Sequence, residues 1–386
     1  MGRPYTLMHK NLEVATLEID EDNGVISKVI KVHDMGHMPV GTVVSNFVDG
    51  ARVREWWSSR SIPSSRSGIR DVLESLGIFD AKLLLTRSMG LSLSDQYWVR
   101  PEGGDFRWDD VNFFDNIFSD DIGDLLMGGK TSENIDLMSP DNTSDGVLQK
   151  RWKIIDGRRC LFKGSTGTTR QEPFNEVIAS RLMEALGIPH VEYRIMWISG
   201  RPYSVCEDFI DRDTELVSAY RVLISKKRDN DRSLYSHYVG CCADMGIDIV
   251  PFLDRMMVLD YIIGNYDRHT NNFGLVRNAN TLEWIGPAPI FDSGTSLGCQ
   301  LRTDEIMGQA GIHSKPFRDL ASEQIKLVSS LDWVDFDSLY GAMDDVGNVM
   351  DGSEGLIDER RKTTLMDFIR SRIDGIRSMS DRIHCR

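Results

Sequence analysis

The chain has 386 residues, 41% hydrophobic and 27% charged, with 45 basic against 59 acidic residues and a net charge of −14. That length suffices for two or three packed units. The acidic balance argues against direct nucleic-acid binding, whose phosphates would repel the chain, and no apolar run approaches the ~18 residues of a membrane span.

From the N-terminus, MGRPYTLMHK lacks the apolar core of a secretory signal. The six cysteines show no C-x-x-C spacing, so a reducing cytoplasm is the expected compartment. Residues 1–40 read as short strands with turns, and Asp22-Asn23-Gly24 is a hairpin signal. Residues 51–90 read as short helices, DVLESLGI and AKLLL among them, broken by SIPSSRSG. Residues 92–127 are rich in aromatics and acids, and the aromatics are expected to anchor this unit on the rest of the chain. The polar loop SENIDLMSPDNTSDG, 132–146, marks the first boundary. Residues 1–130 are therefore assigned to an N-terminal α+β subdomain.

KRWKII and RRCLFKG flank Asp156-Gly157 and predict a hairpin with a type I′ turn. Residues 148–163 hold six basic residues and one acid. They read either as a solvated hairpin face or as a phosphate-binding surface. The loop GSTGTTRQ leads into a helix over EPFNEVIASRLMEALG, with Pro173 in its first turn and Gly187 just past its end. Phe174, Val177, Ile178, Leu182, Ala185 and Leu186 form its apolar stripe. HVEYRIMWI and RPYSVCEDFI predict two more strands, completing a unit at 131–209. From about 210 to 386 the pattern is helical except around 272–292. A small sheet with one helix, joined to a larger helical lobe, predicts a cleft between them.

DIVPFLDRMMVLDYIIGN, 248–265, predicts a helix ending near Gly264. The polar run GNYDRHTNNFG follows, then strand NFGLVRN, a turn at 278–280, and a second strand LEWIGPAPIFDSG reaching Asp292. Asn272 and Asp292 thus stand at the two ends of one hairpin, which brings them close. An amide oxygen beside one carboxylate suits Mg²⁺, which takes oxygen ligands and typically only one or two carboxylates. Asp267 is placed to orient or deprotonate an attacking hydroxyl. Kinases use this order: Asp, four residues, Asn, a hairpin, a second Asp. Upstream, Lys163 ends a predicted strand and Glu176 lies in the following helix, the arrangement by which kinases hold the α- and β-phosphates of ATP.

GNYDRHTNNFG, IFDSGTSL, LFKG and NEVIASRLMEALGIP resemble the HipA-like bacterial serine/threonine kinases, over residues 139–300. The Asp-Arg-His-x-x-Asn run is distantly similar to phosphatidylinositol kinases. GLSLSDQYWV, 90–99, resembles a stretch upstream of the kinase core in a HipA-like subfamily. The resemblance implies an α+β, two-lobed protein-kinase-like fold, with a β-rich N-lobe carrying one helix and a mainly helical C-lobe. It implies ATP and Mg²⁺ as cofactors and a protein hydroxyl as phosphate acceptor. Asp267 would be the catalytic base, with Asn272 and Asp292 as metal ligands. His269 would lie near the nucleotide phosphates. Lys163 would bind those phosphates with Glu176 as its partner, and Glu207, Asp208 and Phe209 would form a hinge meeting adenine through backbone groups. A small DNA-binding antitoxin-like protein is the implied partner. No helix-turn-helix pattern stands out here, so any DNA contact would come through that partner. The loop SPDNTSDGVLQK would cover the phosphates. Ser139, Thr143 and Ser144 within it are expected sites of autophosphorylation, with Arg151 as a nearby charge partner. G-x-G-x-x-G, H-R-D and D-F-G are absent, as in HipA-like kinases; YDR and FDS stand in the last two places.

Three other readings compete. A pseudokinase or regulatory nucleotide-binding module is disfavoured because no required group is missing. A metal-dependent hydrolase on Asp267, His269 and Asp292 would want more clustered His and carboxylate ligands. A kinase of a lipid or other small molecule fits the Asp-Arg-His-x-x-Asn run, but no amphipathic basic helix supports a membrane substrate. Singly, Asp267 also reads as a helix-end cap, His269 as a core histidine, Asn271 as a turn residue and Asp292 as an Asx turn.

Overall fold

The computed structural model describes residues 2–129, 135–144, 146–165, 169–308 and 311–384. The boundary placed at 130/131 and the middle of the 164–171 loop lie outside these. Strands Val25–Val32, Leu12–Asp20, Gly2–His9 and Tyr97–Pro101 form, in that order, an antiparallel sheet. Gly24, at φ 69°, ends the turn between the second and third strands in sequence, a conformation that glycine adopts without steric cost. The sheet's buried face, with Leu7, Val14, Leu17 and Ile26, packs against Val53, Trp56 and Trp57 of the helix Gly50–Ser59. Two short helices follow, Ile69–Ser75 and Ala81–Arg87. Tyr97–Pro101 reads in sequence only as part of an aromatic stretch; its pairing partner is the first strand, some ninety residues away. The aromatics do anchor: Trp98, Trp108 and Phe113 pack with Met138 and Trp152 of the next unit.

The second sheet is antiparallel, in the order Lys150–Ile155, Arg158–Lys163, Arg201–Glu207, Arg194–Ile198. Asp156 and Gly157 both have positive φ, 50° and 80°, as a type I′ turn requires. The helix Glu172–Ala185 buries Phe174, Ile178 and Leu182 in the core of the helical lobe, while Val177 faces the sheet cluster around Val191 and Cys206. It therefore couples the two lobes. The predicted strand at 190–198 is shorter, Arg194–Ile198, and His190 makes a lone bridge to Ile290.

In the C-lobe, the helix Val250–Ile263 is buried almost all round and ends at Gly264, φ 59°. A Cβ there would lie 2.9 Å from the Phe368 ring of the long helix Glu359–His384. Two expectations need correction. Thr214–Ser218 is a strand, not helix, and pairs with Gly274–Asn278, which pairs with Trp284–Pro287. Its five residues find their hydrogen bonds sixty residues downstream, so local periodicity does not reveal them. The described residues within 293–335 are largely irregular, with short helices such as Thr303–Ile306 and Ala321–Gln324. The strand expected to reach Asp292 stops at Pro287. Pro289 lacks an amide proton, and Ile290 instead bonds Pro189 and Val191 in the segment between the lobes. Among the described residues no helix is long and apolar enough to cross a membrane, and Cys160, Cys206, Cys241, Cys242 and Cys299 are free and buried.

Candidate active site

A cavity of about 550 Å³ lies between the second sheet and the helical lobe. Lys163, Glu207, Asp208, Phe209, Asp267, His269, Asn272 and Asp292 all line it. Glu176 does not; it stands behind Lys163.

On the sheet side, Lys163 Nζ lies 2.9 Å from Glu176 Oε1 and 2.8 Å from Asp292 Oδ1. Burial disfavours the lysine's charge, but Asp292 and then Glu176 outweigh it and hold the ammonium well above its ordinary range. Burial likewise works against the Asp292 carboxylate. Lys163 and then Lys150 prevail and keep it well below the usual range. Glu176 also accepts the Ser293 amide through Oε2, at 2.8 Å. One buried carboxylate therefore fixes both the strand lysine and the backbone after Asp292.

On the opposite side, Arg268 organises the polar run. It is fully buried, and its Nε and Nη2 contact Asp260 at 3.0 Å in the preceding helix. Its Nη1 donates to the carbonyls of Asn272 and Phe291, and its Nη2 to Ser293 Oγ. The guanidinium fork thus ties the Asn272 end to the Asp292 end. The hairpin ladder, which stops at Pro287, does not reach that far. Sequence analysis assigned Arg268 no role; the signal available was an arginine inside an otherwise apolar junction, where a charge must be paired. Asn272 Nδ2 donates to the Asp267 carbonyl at 3.1 Å, so the amide oxygen is the Asn272 atom that could serve a cation. Asp267 itself is half-exposed and bonded to Lys315, at 2.8 Å.

The Mg²⁺ expectation can be tested on these groups. Among the described residues no cluster of three or more His, Cys, Asp or Glu could hold a metal. One carboxylate and one amide oxygen instead fit a hard ion whose other ligands are phosphate and water.

Leu161, Val191, Phe209, Leu216 and Phe291 supply an apolar part of the lining, with Phe209 stacked on Phe291 at 5.6 Å. The Asp208 amide donates to the Arg159 carbonyl at 2.8 Å, so that donor is not available to a ligand. Burial pushes the Asp208 carboxyl well above its ordinary range, with a smaller opposing pull from the Ile210 amide. Ser92, Leu93 and Ser94, from the GLSLSDQYWV stretch, close one wall, and the Ser94 carbonyl accepts the Leu216 amide at 2.8 Å.

Lys150, read from sequence only as the end of the loop over the phosphates and part of the basic hairpin, also lines the cavity. Its Nζ lies 4.0 Å from Asp292 Oδ2. A register argument would have found it: the two-residue turn sets Ile155 against Arg158 and, counting back along the ladder, Lys150 against Lys163. The basic hairpin is thus neither a wholly solvated face nor a continuous phosphate surface. Arg151 and Lys153 pair with Asp120, Arg151 also with Asp124, and Arg159 bonds the carbonyls of Phe113 and Asn116. Those charges hold the N-terminal subdomain in place.

A small sheet with a buried lysine–glutamate pair, facing a helical lobe across one cleft, defines a two-lobed, kinase-like protein. The profile of the HipA-like C-terminal domain matches residues 142–346, just over half of the chain, and the chain belongs to that family. Over 145 residues it is 32% identical to the serine/threonine-protein kinase CtkA of Helicobacter pylori; the match takes in 35% of this chain and 43% of that protein. The chain therefore spans less than half the length of that curated relative. The crystal structure of the Helicobacter pylori proinflammatory kinase CtkA is similar with a TM-score of 0.47 and 19% identity, covering 61% of this chain and 95% of that one. A chain of the Shewanella oneidensis MR-1 toxin–antitoxin complex of HipA, HipB and operator DNA matches with a TM-score of 0.58 and 14% identity. That match covers 98% of this chain and 99% of the other, so the shared fold includes the N-terminal subdomain.

Proposed function

We propose that the chain transfers the γ-phosphoryl group of Mg·ATP to a serine or threonine hydroxyl of a protein. The observation that carries this is the convergence of Lys163, Asp292, Asn272 and Asp267 on one cavity, with Glu176 behind Lys163 and Arg268 binding the two metal-ligand ends together. In this reading the apolar part of the lining takes adenine beside residues 207–209. Lys163, oriented by Glu176, binds the α- and β-phosphates, and Asn272 and Asp292 hold Mg²⁺, which when bound neutralises phosphate charge. His269 lies beside the phosphates. Asp267 accepts the proton of the acceptor hydroxyl as its oxygen bonds the γ-phosphorus. The bond from that phosphorus to the bridging oxygen breaks, and ADP leaves with the electron pair.

Incubation with labelled ATP and Mg²⁺, alone and with lysate, followed by phosphosite mass spectrometry, tests the reading. Phosphate on a Ser or Thr, lost in Asp267→Asn, is expected. ATP binding without any transfer under either condition would favour the regulatory-module alternative. The Shewanella structure contains HipA with HipB and operator DNA. By analogy we infer a cytoplasmic setting and a small DNA-binding, antitoxin-like partner for this chain, with DNA reached through that partner.

A further inference from the structure

We propose that Lys315 is a further catalytic residue, which contacts the transferring phosphoryl group from the side of the helical lobe. The proposal rests on the phosphotransferase reading above. Lys315 lies outside every motif, in the irregular segment after Asp292. Its Nζ stands 2.8 Å from Asp267 Oδ1, and it lines the same cavity as Lys163 and Asp292.

The backbone around it is firmly held. Buried Gln324 donates through Nε2 to the Lys315 carbonyl at 2.8 Å, and its Oε1 accepts the Phe317 and Arg318 amides at 3.0 and 3.3 Å. The Ser314 amide bonds the Asp319 carbonyl at 2.9 Å. Phe317 packs edge-on against Phe273, the residue after Asn272, and against Tyr235. The turn presenting Lys315 and the polar run presenting Asp267 are therefore seated on one aromatic cluster. The lysine's side chain is 52% exposed and that of Asp267 39%, and an ion pair of that exposure adds little to stability. The rigid presentation is better explained by chemistry.

Charge placement supplies the chemistry. Among the described lining residues, the other two lysines, Lys150 and Lys163, are directed at Asp292. Lys315 alone among the lysines stands beside the base. In phosphoryl transfer, charge spreads over three equatorial oxygens between the attacking and leaving oxygens. A cation at the phosphate-binding lysine meets charge already present in the ground state. A cation beside the base meets the transferring group itself, where fixed charge is most effective. An ammonium carries three donors; one engages Asp267, and the others suit phosphoryl oxygens.

The test compares wild type, Lys315→Ala and Lys315→Arg in two assays. The first is steady-state phosphate transfer. The second is the affinity for Mg·ADP with and without fluoroaluminate, a planar mimic of the transferring phosphoryl group. Lys315→Ala should lose about 10²–10³-fold in kcat, the typical loss on removing one transition-state donor. It should bind Mg·ADP unchanged, and forfeit most of the fluoroaluminate-dependent gain in affinity. Lys315→Arg, which keeps the charge, should recover part of both. An unchanged kcat overturns the proposal. So does a raised kcat, which would make Lys315 a plug on the base. A fluoroaluminate gain equal in wild type and Lys315→Ala, or absent from wild type, overturns it too. If wild type transfers no phosphate yet shows a gain that Lys315→Ala lacks, the Lys315 contact stands and the phosphotransferase reading fails.

Discussion

Replacing Glu176 with glutamine probes the joint between the two halves of the site. Glu176 is 2% exposed and Lys163 4%. One carboxylate oxygen serves Lys163 at 2.9 Å and the other the Ser293 amide at 2.8 Å. Glutamine keeps the shape but supplies only one acceptor, so its NH₂ must face either the ammonium or the Ser293 N–H. Losing one partner of a buried ion pair typically costs ~3–5 kcal/mol because the other charge is stranded. Here Lys163 keeps Asp292 at 2.8 Å, so the loss should fall nearer that of one charged hydrogen bond, about 1.5–3 kcal/mol. Urea unfolding would read it. A second effect follows. With the Glu176 charge gone, Asp292 is the one carboxylate left beside Lys163, with the Tyr193 hydroxyl at 3.2 Å, and phosphates must compete with it. Mg·ATP affinity should fall about tenfold, equivalent to ~1.4 kcal/mol, by titration calorimetry. A stability change within about 0.5 kcal/mol, the range of an ordinary surface substitution, together with unchanged affinity, would refute the reasoning.

The two aspartates and the asparagine should separate in function: Asp267→Asn should bind Mg·ATP nearly normally but lose ~10²–10⁴-fold in transfer rate, whereas Asp292→Asn should weaken metal-dependent binding as well, and Asn272→Ala should do so more mildly. The opposite pattern in calorimetry and transfer assays would reverse the roles. Asp141 offers a pH test, because burial pushes its carboxyl up to about 7 against the pull of the Trp152 amide. Between its ordinary value of 3.8 and about 7 the unfolded chain ionises while the folded one stays protonated, so stability should decline as pH rises through that window. Urea unfolding at pH 5 and 8 should show a smaller drop in Asp141→Asn, and an identical drop would remove Asp141 as the cause. Autophosphorylation in the 139–144 loop requires the loop to open, because Ser139 is buried, Thr143 bonds the Leu91 carbonyl, and Ser144 Oγ lies 2.5 Å from Arg66. Arg66, not Arg151, is therefore the charge partner for a phosphate on Ser144. Mapping after long ATP incubation should find slow modification between 132 and 150, and none there would sink the idea.

Much of the architecture is written in local signals. Asp156-Gly157 demands a type I′ hairpin because few residue pairs accept two positive φ angles, and the observed φ values are positive at both. Pro173 and Gly187 bracket a helix for equally local reasons, and the helix runs Glu172–Ala185. The order Lys163, Glu176, Asp267, Asn272, Asp292 is likewise visible without coordinates, since it depends only on which side chains occur and in what succession.

Other features depend on contacts between residues far apart in the chain. Thr214–Ser218 becomes a strand only because Gly274–Asn278 offers it an edge, and five residues carry too little pattern to announce that. Asn272 and Asp292 are joined by the guanidinium of Arg268, not by an unbroken ladder. Lys150 joins Lys163 through strand register, and Lys315 joins Asp267 through a turn held by Gln324. Turn and helix-end conformations and the list of chemical groups can be read from the chain alone, because backbone sterics and side-chain chemistry act at one position. Which charges meet follows from the folded chain, because a lysine's partner is set by where burial and hydrogen bonding bring the rest of the molecule.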